Sequence, residues 1–503
     1  MFDKVLVANR GEIALRVMRA LREMGIKSCA VYSEADRKAL HVLLADEAVP
    51  IGPPAAAESY LSIPRILAAA KKVGAQAIHP GYGFLSENAI FSDACEEAGF
   101  RFIGPPGSAI RGMGDKAEAK RTVAAAGVPI VPGSLEPLGD AEAKRTAREI
   151  GFPVLLKAAK GGGGKGMRAV RAESEMDAAL RLTRGEALAA FASDELLVEK
   201  LVEGPRHVEA QVLADTHGRT IFVGERECSV QRRHQKVVEE APSPSLGAAR
   251  RAEFGRVAAA AAASVGYVNA GTVEFLLAPD GSYYFLEMNT RLQVEHPVTE
   301  ETTGIDLVKQ QIRIAAGERL TLPDAIEPLG HAIECRIYAE DASRGFLPSV
   351  GRIRFLRLPS GPGVRNDSGI YAGLDIPIHY DPLLGKLITR GNDREEARAR
   401  MNAALHVYRI EGPTTNVAFL RWIINHPDFV ESRVDTRWLE RVHATWKPLS
   451  RGTGHPDDVA AIAAVLFSHR GVARANRDEA SARSDGLSPW VRVGRARTLG
   501  GRR

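Results

Sequence analysis

The chain has 503 residues, 45% hydrophobic and 26% charged, with a formal net charge of +5. That is the profile of an ordinary globular protein with room for roughly three domains of ~150 residues, and one that needs neither disulfides nor a structural metal to fold. The charge argues against a nucleic-acid partner. Ten arginines against five acids from Leu449 onward supply the whole excess, so the body balances to zero, where a nucleic-acid-binding protein would be expected to carry a basic stripe on its folded part.

The chain opens with MFDKVLVANRGE, where Asp3, Lys4, Arg10 and Glu12 stand in place of a signal peptide's apolar core. No apolar run approaches the ~18 residues of a membrane span. The four cysteines (Cys29, Cys95, Cys228, Cys335) form no Cys-x-x-Cys pair. A cytoplasmic protein with reduced thiols and no membrane partner is expected. KVLVA, the helical pattern IALRVMRALREMG and the apolar run KSCAVY then read as a β-α-β opening. Further units end in AQAIHPGYGFLSEN and FRFIGPP, so residues 1–114 are expected to form a parallel, Rossmann-like α/β domain.

A second region, 115–330, starts with a helix around 115–126 and continues in short strands: FPVLLKAA, MRAVRA, ELLVEKLV, RHVEAQVLAD and TIFVGERECS. These predict an antiparallel sheet. Residues 248–265 read as an alanine-rich helix, followed by a hairpin, GTVEFLLAPDGSYYFLEMN, turning at Pro279-Asp280-Gly281. From 331 to 446 come the strands AIECRIYAED, GRIRFLRL and KLITRG and helices near 395–409 and 414–425. The tail, 447–503, reads as basic and partly disordered, with one short apolar helix at 457–469.

Two stretches carry chemistry. KAAKGGGGKGMR (157–168) formally fits G-x-G-x-x-G, but a strand follows it rather than a helix, which excludes a dinucleotide fold and with it a nicotinamide oxidoreductase. Walker A also fails, since Gly166 follows Lys165. What remains is a strand–glycine loop–strand hairpin, with Lys157, Lys160 and Lys165 placed to supply charge to a polyphosphate. In the second stretch, pairing about the 279–281 turn sets Glu274 beside Glu287 with Asn289 on the same face, a hard-oxygen set suited to Mg²⁺. FLEMNTRLQVEHPVTE then places Arg291 where it could bind a second anion, and Glu295 where it could take a proton. No histidine pair has helical metal spacing, so a structural zinc is not expected. His296, before Pro297, reads as a hydrogen-bonded structural residue.

KVLVANRGEIA, HPGYGFLSEN, KAAKGGGGKGMR, EKLVEGPRHVE, GERECSVQRRHQKVVEEAPSP, FLEMNTRLQVEHPVTE and HAIECRIYAED together resemble the biotin carboxylases of the ATP-grasp superfamily, from Met1 to about Trp446. The resemblance implies an ATP-grasp fold between a pre-ATP-grasp α/β domain and a C-terminal biotin carboxylase domain, with a lid at about 130–205. It implies a ligase that uses ATP, Mg²⁺ (or Mn²⁺) and bicarbonate to carboxylate biotin through carboxyphosphate. By the same resemblance, Lys116, Lys157, Glu199, Lys200, His207, Gln231 and His234 would line the ATP site, under Gly163, Gly164, Lys165 and Gly166. Glu274, Glu287 and Asn289 would hold the metal. Lys236, Arg291, Gln293, Val294 and Glu295 would form the bicarbonate site, with Glu295 as general base. Arg336 would steady the biotin enolate, with Tyr82 near biotin.

The sequence has no Met-Lys-Met segment of the kind that carries biotinyl-lysine, so biotin is expected on a separate carrier protein, alongside carboxyltransferase subunits and a second copy of this chain. SPWVRV (488–493) resembles the segment that leads towards the carrier in single-chain acyl-CoA carboxylase α subunits. Acetyl-, propionyl- and methylcrotonyl-CoA remain open as final acceptors, with pyruvate less expected. Two rivals stand beside this reading. One is a carbamoyl-phosphate synthetase-like ligase, which would use ammonia. The other is a non-catalytic nucleotide-binding scaffold, which would have lost one of Lys236, Glu274, Glu287, Arg291, Glu295 or Arg336.

Overall fold

The computed structural model describes residues 1–159, 166–191, 193–448 and 464–465. Met1–Lys447 form one compact unit and Pro448–Arg503 a second. The expected tail helix and SPWVRV lie outside the described residues, apart from a helical pair at 464–465.

The N-terminal strands are β1 (Lys4–Val7), β2 (Lys27–Ser33), β3 (Glu47–Gly52), β4 (Ala77–His79) and β5 (Arg101–Phe102). They form an all-parallel sheet of order β3-β2-β1-β4-β5. Helices α1 (Gly11–Glu23), α2 (Leu40–Leu44), α3 (Ile63–Val73) and α4 (Ala89–Glu97) connect it. Helix α1 is amphipathic at helical spacing. Ile13, Val17 and Leu21 are buried against Leu213, Ile221, Leu292 and Ile312 of the neighbouring region, so this helix joins the first sheet to the rest of the unit.

Helices α5 (Gly107–Gly114), α6 (Lys116–Ala125) and α7 (Asp140–Ile150) follow. Strands β6 (Val154–Ala158), β7 (Met167–Val170) and β8 (Leu196–Lys200) make a small antiparallel sheet with helix α8 (Met176–Phe191). The pairing of β6 with β7, Lys157 opposite Met167, is the expected strand–glycine loop–strand hairpin. The sequence reading named neither α7 nor α8. Both contain many alanines among charged residues, which weakens the apolar stripe that marks a helix.

The remaining strands do not divide at 330. Strands β9 (Arg206–Ala214), β10 (Thr220–Arg232), β11 (Gln235–Ala241), β12 (Asn269–Leu277) and β13 (Tyr283–Asn289) are joined by β14 (His331–Tyr338). Helices α9 (Ala248–Ser264), α10 (His296–Thr303) and α11 (Leu307–Ala315) lie between them in sequence. Short strands β15 (Glu340–Asp341), β16 (Leu347–Pro348), β17 (Gly351–Arg352) and β18 (Phe355–Arg357) precede β19 (Val364–Ser368), β20 (Asp375–Ile376) and β21 (Leu383–Gly391). One eight-stranded sheet of order β13-β12-β9-β10-β11-β14-β21-β19 thus crosses the texture change seen in the sequence. Helix α12 (Arg394–Val407) covers part of it, and α13 (Val417–Asn425) starts later than expected. Asn416 instead holds β14, accepting from the Tyr338 amide at 2.9 Å and donating to the Arg336 carbonyl at 2.9 Å.

Adjacent Glu239 and Glu240 on β11 point to opposite faces, and both are buried, so each needs a cation. Glu240 has His331 Nε2 at 2.7 Å and Arg394 Nε at 2.7 Å. Burial alone would raise its carboxyl, but these partners hold it down at about 2. A depressed carboxylate stabilises the fold above its unfolded pKa of about 4.3, and that stabilisation is lost as pH falls through the folded value. Glu240→Gln is therefore expected to cost about 3 kcal/mol at pH 7. In denaturant titrations the gap from the parent should shrink as the pH drops towards 2; a gap constant with pH contradicts this account.

Candidate active site

A cavity of about 620 Å³ is lined by both the small sheet and the large one. Lys116, Lys157, Glu199, His207, Gln231 and His234 line it, as do Lys236, Glu274, Glu287, Asn289, Arg291, Gln293, Val294 and Arg336. Gly166 closes the glycine hairpin with φ +67°, a left-handed backbone suited to glycine. Gly163, Gly164 and Lys165 lie outside the described residues. Lys157 and Lys120 both pair with the buried Glu199. Burial would raise the Glu199 carboxyl, but the two ammonium groups hold it ionised. The β10–β11 hairpin turns at Arg233 and His234 with φ of 49° and 67°. Asparagine or glycine usually fills such positions, so this is backbone strain at the cavity wall.

The side chain of one expected residue points away from the cavity. The Lys200 ammonium donates to the carbonyls of Gly151 and Phe152 at 2.9 and 3.1 Å, away from the cavity lining. Strand alternation explains this, because Glu199 faces the cavity and its neighbour on β8 must face the other side.

Glu274 and Glu287 are direct partners across β12 and β13, with Thr272 opposite Asn289. The Asn289 amide donates to Glu274 Oε1 at 2.8 Å. Lys116 Nζ lies 3.6 Å from Glu287 Oε2, whose side chain is 41% exposed. Burial would raise the Glu274 carboxyl, but Lys236 and His207 hold it well below the usual range. An ionised carboxylate, a second one open to the cavity and the Asn289 amide oxygen, which here accepts from Arg291, are hard oxygen donors of the kind a divalent cation takes. His207, Glu209 and Glu274 also converge to within 4.8 Å of one another. There, however, Lys236 Nζ already sits on both carboxylates, at 2.5 and 2.9 Å.

Lys236 is the hub of the site, since it also meets Glu295 Oε1 at 2.7 Å. Its burial would lower its pKa, and the three carboxylates raise it well above the ordinary value. The other Glu295 oxygen accepts from the Arg336 guanidinium at 3.0 Å, and Arg336 Nε donates to Glu239 at 2.5 Å. Glu295 is fully buried, yet Lys236, Arg336 and Arg226 outweigh that burial and keep it ionised. Arg226, also fully buried, pairs with Glu209 and donates to Gln211, Thr299 and Thr272 at 2.8, 2.9 and 3.0 Å.

Arg291 is held from below by Glu87, which accepts from its Nε at 2.9 Å and from the Thr290 amide at 3.0 Å. Its remaining nitrogens reach Asn289 Oδ1 at 3.0 Å and Gln293 Oε1 at 3.2 Å. Tyr82 lines a second cavity of about 500 Å³ that shares Arg291, Val294 and Arg336 with the first. His296 is buried with Nδ1 2.8 Å from the Gln293 carbonyl, the structural place expected of it. The sequence reading did not single out Glu209, Arg226, Glu239, Lys120 or Glu87. Glu209 had a signal, two residues from His207 and so on the same strand face. The others depend on partners far apart in sequence.

Three family models tile the chain. Residues 1–110 match the biotin carboxylase N-terminal domain, 115–322 the carbamoyl-phosphate synthase L chain ATP-binding domain, and 334–441 the biotin carboxylase C-terminal domain. A biotin carboxylase of Allochromatium vinosum is 54% identical over 446 residues, covering 88% of this chain and 99% of that one. The propionyl-CoA carboxylase alpha chain of Ruegeria pomeroyi is 47% identical over 508 residues, covering 96% of this chain and 74% of that one. Among solved structures, the biotin carboxylase domain dimer of Hydrogenobacter thermophilus 2-oxoglutarate carboxylase, with MgADP, ADP and bicarbonate, aligns with a TM-score of 0.81 at 50% identity. It covers 88% of this chain and 98% of its own. With an ATP-grasp core set between biotin carboxylase N- and C-terminal domains, this chain belongs to the biotin carboxylase family.

Proposed function

We propose that the chain activates bicarbonate with MgATP and carboxylates biotin presented by a carrier protein, with Glu295 as the base. The enzyme is an ATP-dependent carboxylase ligase, and its cofactors are ATP, Mg²⁺, bicarbonate and biotin. The observation that carries the residue assignment is Glu295, ionised between Lys236 and Arg336 where two cavities share Arg291, Val294 and Arg336.

In this reading the nucleotide occupies the larger cavity, with Lys116 and Lys157 at its phosphates. Mg²⁺ held by Glu274, Glu287 and Asn289 would neutralise charge on the transferring phosphoryl group. Arg291 and Lys236 bind bicarbonate and favour its deprotonated form. When Lys236 turns an N–H from Glu295 to bicarbonate, Glu295 loses a stabilising donor and gains proton affinity in the complex that needs it. A bicarbonate oxygen then attacks the γ-phosphorus and ADP leaves. Carboxyphosphate breaks into CO₂ and phosphate, the phosphate takes the biotin N1′ proton, and N1′ attacks CO₂. Arg336 faces the charge that develops on the ureido oxygen. Tyr82 would lie beside the ring.

The carrier, the carboxyltransferase subunits, pairing with a second copy and a cytoplasmic setting belong to the same proposal. The dimer in the Hydrogenobacter structure supports the pairing. No helix among the described residues is long and apolar enough to cross a membrane. An acyl-CoA acceptor is favoured because the match to a propionyl-CoA carboxylase alpha chain extends to 96% of this chain.

ADP release from MgATP tests the reading. It should require bicarbonate and rise with free biotin. Turnover that depends on ammonia and ignores biotin would instead place the chain with the carbamoyl-phosphate ligases. Nucleotide binding without turnover would favour the scaffold. Glu287→Gln should raise the Mg²⁺ needed for half-maximal rate by about tenfold, as loss of one charged oxygen ligand predicts. An unchanged Mg²⁺ dependence would remove Glu287 from the metal set.

A further inference from the structure

Lys386 on β21 is fully buried, lines neither cavity, and has no part in the mechanism above. A buried ammonium must be paired and hydrogen-bonded, so its partners reveal what it holds. Its Nζ donates to the carbonyl of Val294 at 2.7 Å, and it lies 3.5 Å from Glu12 Oε1 on α1. It stands opposite Arg336 on β14 and opposite Asp367 on β19 in the strand register. Its ammonium also lies 5.7 Å from the ring centre of Tyr82. Among the described residues neither oxygen of the buried Glu12 carboxyl accepts a hydrogen bond, and Lys386 pairs with it across 3.5 Å.

The held carbonyl belongs to the peptide that joins Val294 to Glu295. Glu295 caps the N-terminus of α10, and its side chain must meet Lys236 on one oxygen and Arg336 on the other. A shift of that peptide would move the Val294 carbonyl and the Glu295 amide together, and would carry the Glu295 Cα and its side chain away from Lys236 and Arg336. Lys386 fixes it from the floor of the sheet and ties it to α1 through Glu12. We infer that Lys386 is a positioning residue for bicarbonate activation, setting the 294–295 peptide on which the base stands. This rests on the reading of Glu295 as base. The bland alternative is that Lys386 only balances buried carboxylates, which would affect stability and nothing specific to one substrate.

The test uses the full chain with Lys386→Met, Lys386→Arg, Glu12→Gln and Glu295→Gln, assayed for bicarbonate-dependent ADP release. MgATP binding and thermal midpoint are followed in parallel. Lys386→Met should raise the bicarbonate KM and lower kcat, reducing kcat/KM for bicarbonate by about 10- to 100-fold, the range expected when a reacting group is misplaced by a fraction of an ångström to 1 Å. The KM for ATP should stay within about twofold, because the nucleotide cavity keeps its lining. Lys386→Arg, which keeps a donor and the charge, should recover part of the loss. Glu12→Gln, which leaves the Val294 contact in place, should show the same split at smaller size. Bicarbonate kinetics unchanged in Lys386→Met would overturn the inference. So would a loss in Lys386→Met and Glu12→Gln that follows thermal midpoint and ATP binding together. If Glu295→Gln keeps a tenth or more of parental turnover, the assignment of the base fails instead, and the two failures are told apart.

Discussion

Glu295→Gln is expected to lower bicarbonate-dependent ADP release by about 100- to 10,000-fold, the range for removing a positioned general base. Glutamine keeps the shape but has a single acceptor oxygen, so it can accept from Lys236 or from Arg336 but not both, and it cannot take a proton. ATP binding should be retained, because Glu295 does not line the larger cavity proposed for the nucleotide and Glu274, Glu287 and Lys157 are untouched. The loss should therefore fall on kcat, with the KM for ATP nearly unchanged. A variant that retains a tenth or more of parental turnover would remove Glu295 from the base role.

Lys236→Met has the second large effect, and it combines chemistry with stability. The lysine touches Glu209, Glu274 and Glu295, all nearly or fully buried. Removing one partner of a buried ionic group costs about 3–5 kcal/mol, because the remaining charges stay desolvated. Glu209 keeps Arg226 and Glu295 keeps Arg336, so Glu274, left with His207 and the neutral amides of Asn289 and Gln293, should take up a proton most readily. A carboxyl whose folded pKa rises above its unfolded value loses stability as pH rises. The thermal deficit of Lys236→Met should accordingly be larger at pH 8 than at pH 5. Turnover should fall at least about 100-fold, since the same ammonium is assigned to bicarbonate. A deficit that shrinks with rising pH would contradict the hub.

Legibility in the sequence followed contact distance along the chain. The Glu274–Glu287 pair could be read because a four-residue turn sets its register locally, although the slip between Glu274 and Phe275 could not. The β-α-β opening and the glycine hairpin were visible for the same reason. Lys236 could be named only through the resemblance, because its partners come from β9, β12 and the start of α10. Strand order brings these together, with β9 between β10 and β12. Nothing local encodes that arrangement. Lys386 is a similar case: in KLITRG it reads as the polar start of a strand, whereas burial on both faces and the Val294 carbonyl account for it in the fold. The change of texture near 331 suggested a break, yet β14 and β21 extend the same sheet. This is how Arg336 comes to face Glu295.

The measurement that bears most directly on the central claim is transfer of labelled bicarbonate carbon to biotin by the purified chain with MgATP. Stoichiometric formation of N-carboxylated biotin and ADP, absent without ATP and lost in Glu295→Gln, is the predicted result. ATP hydrolysis that proceeds at the same rate without bicarbonate, and leaves biotin unlabelled, would contradict it.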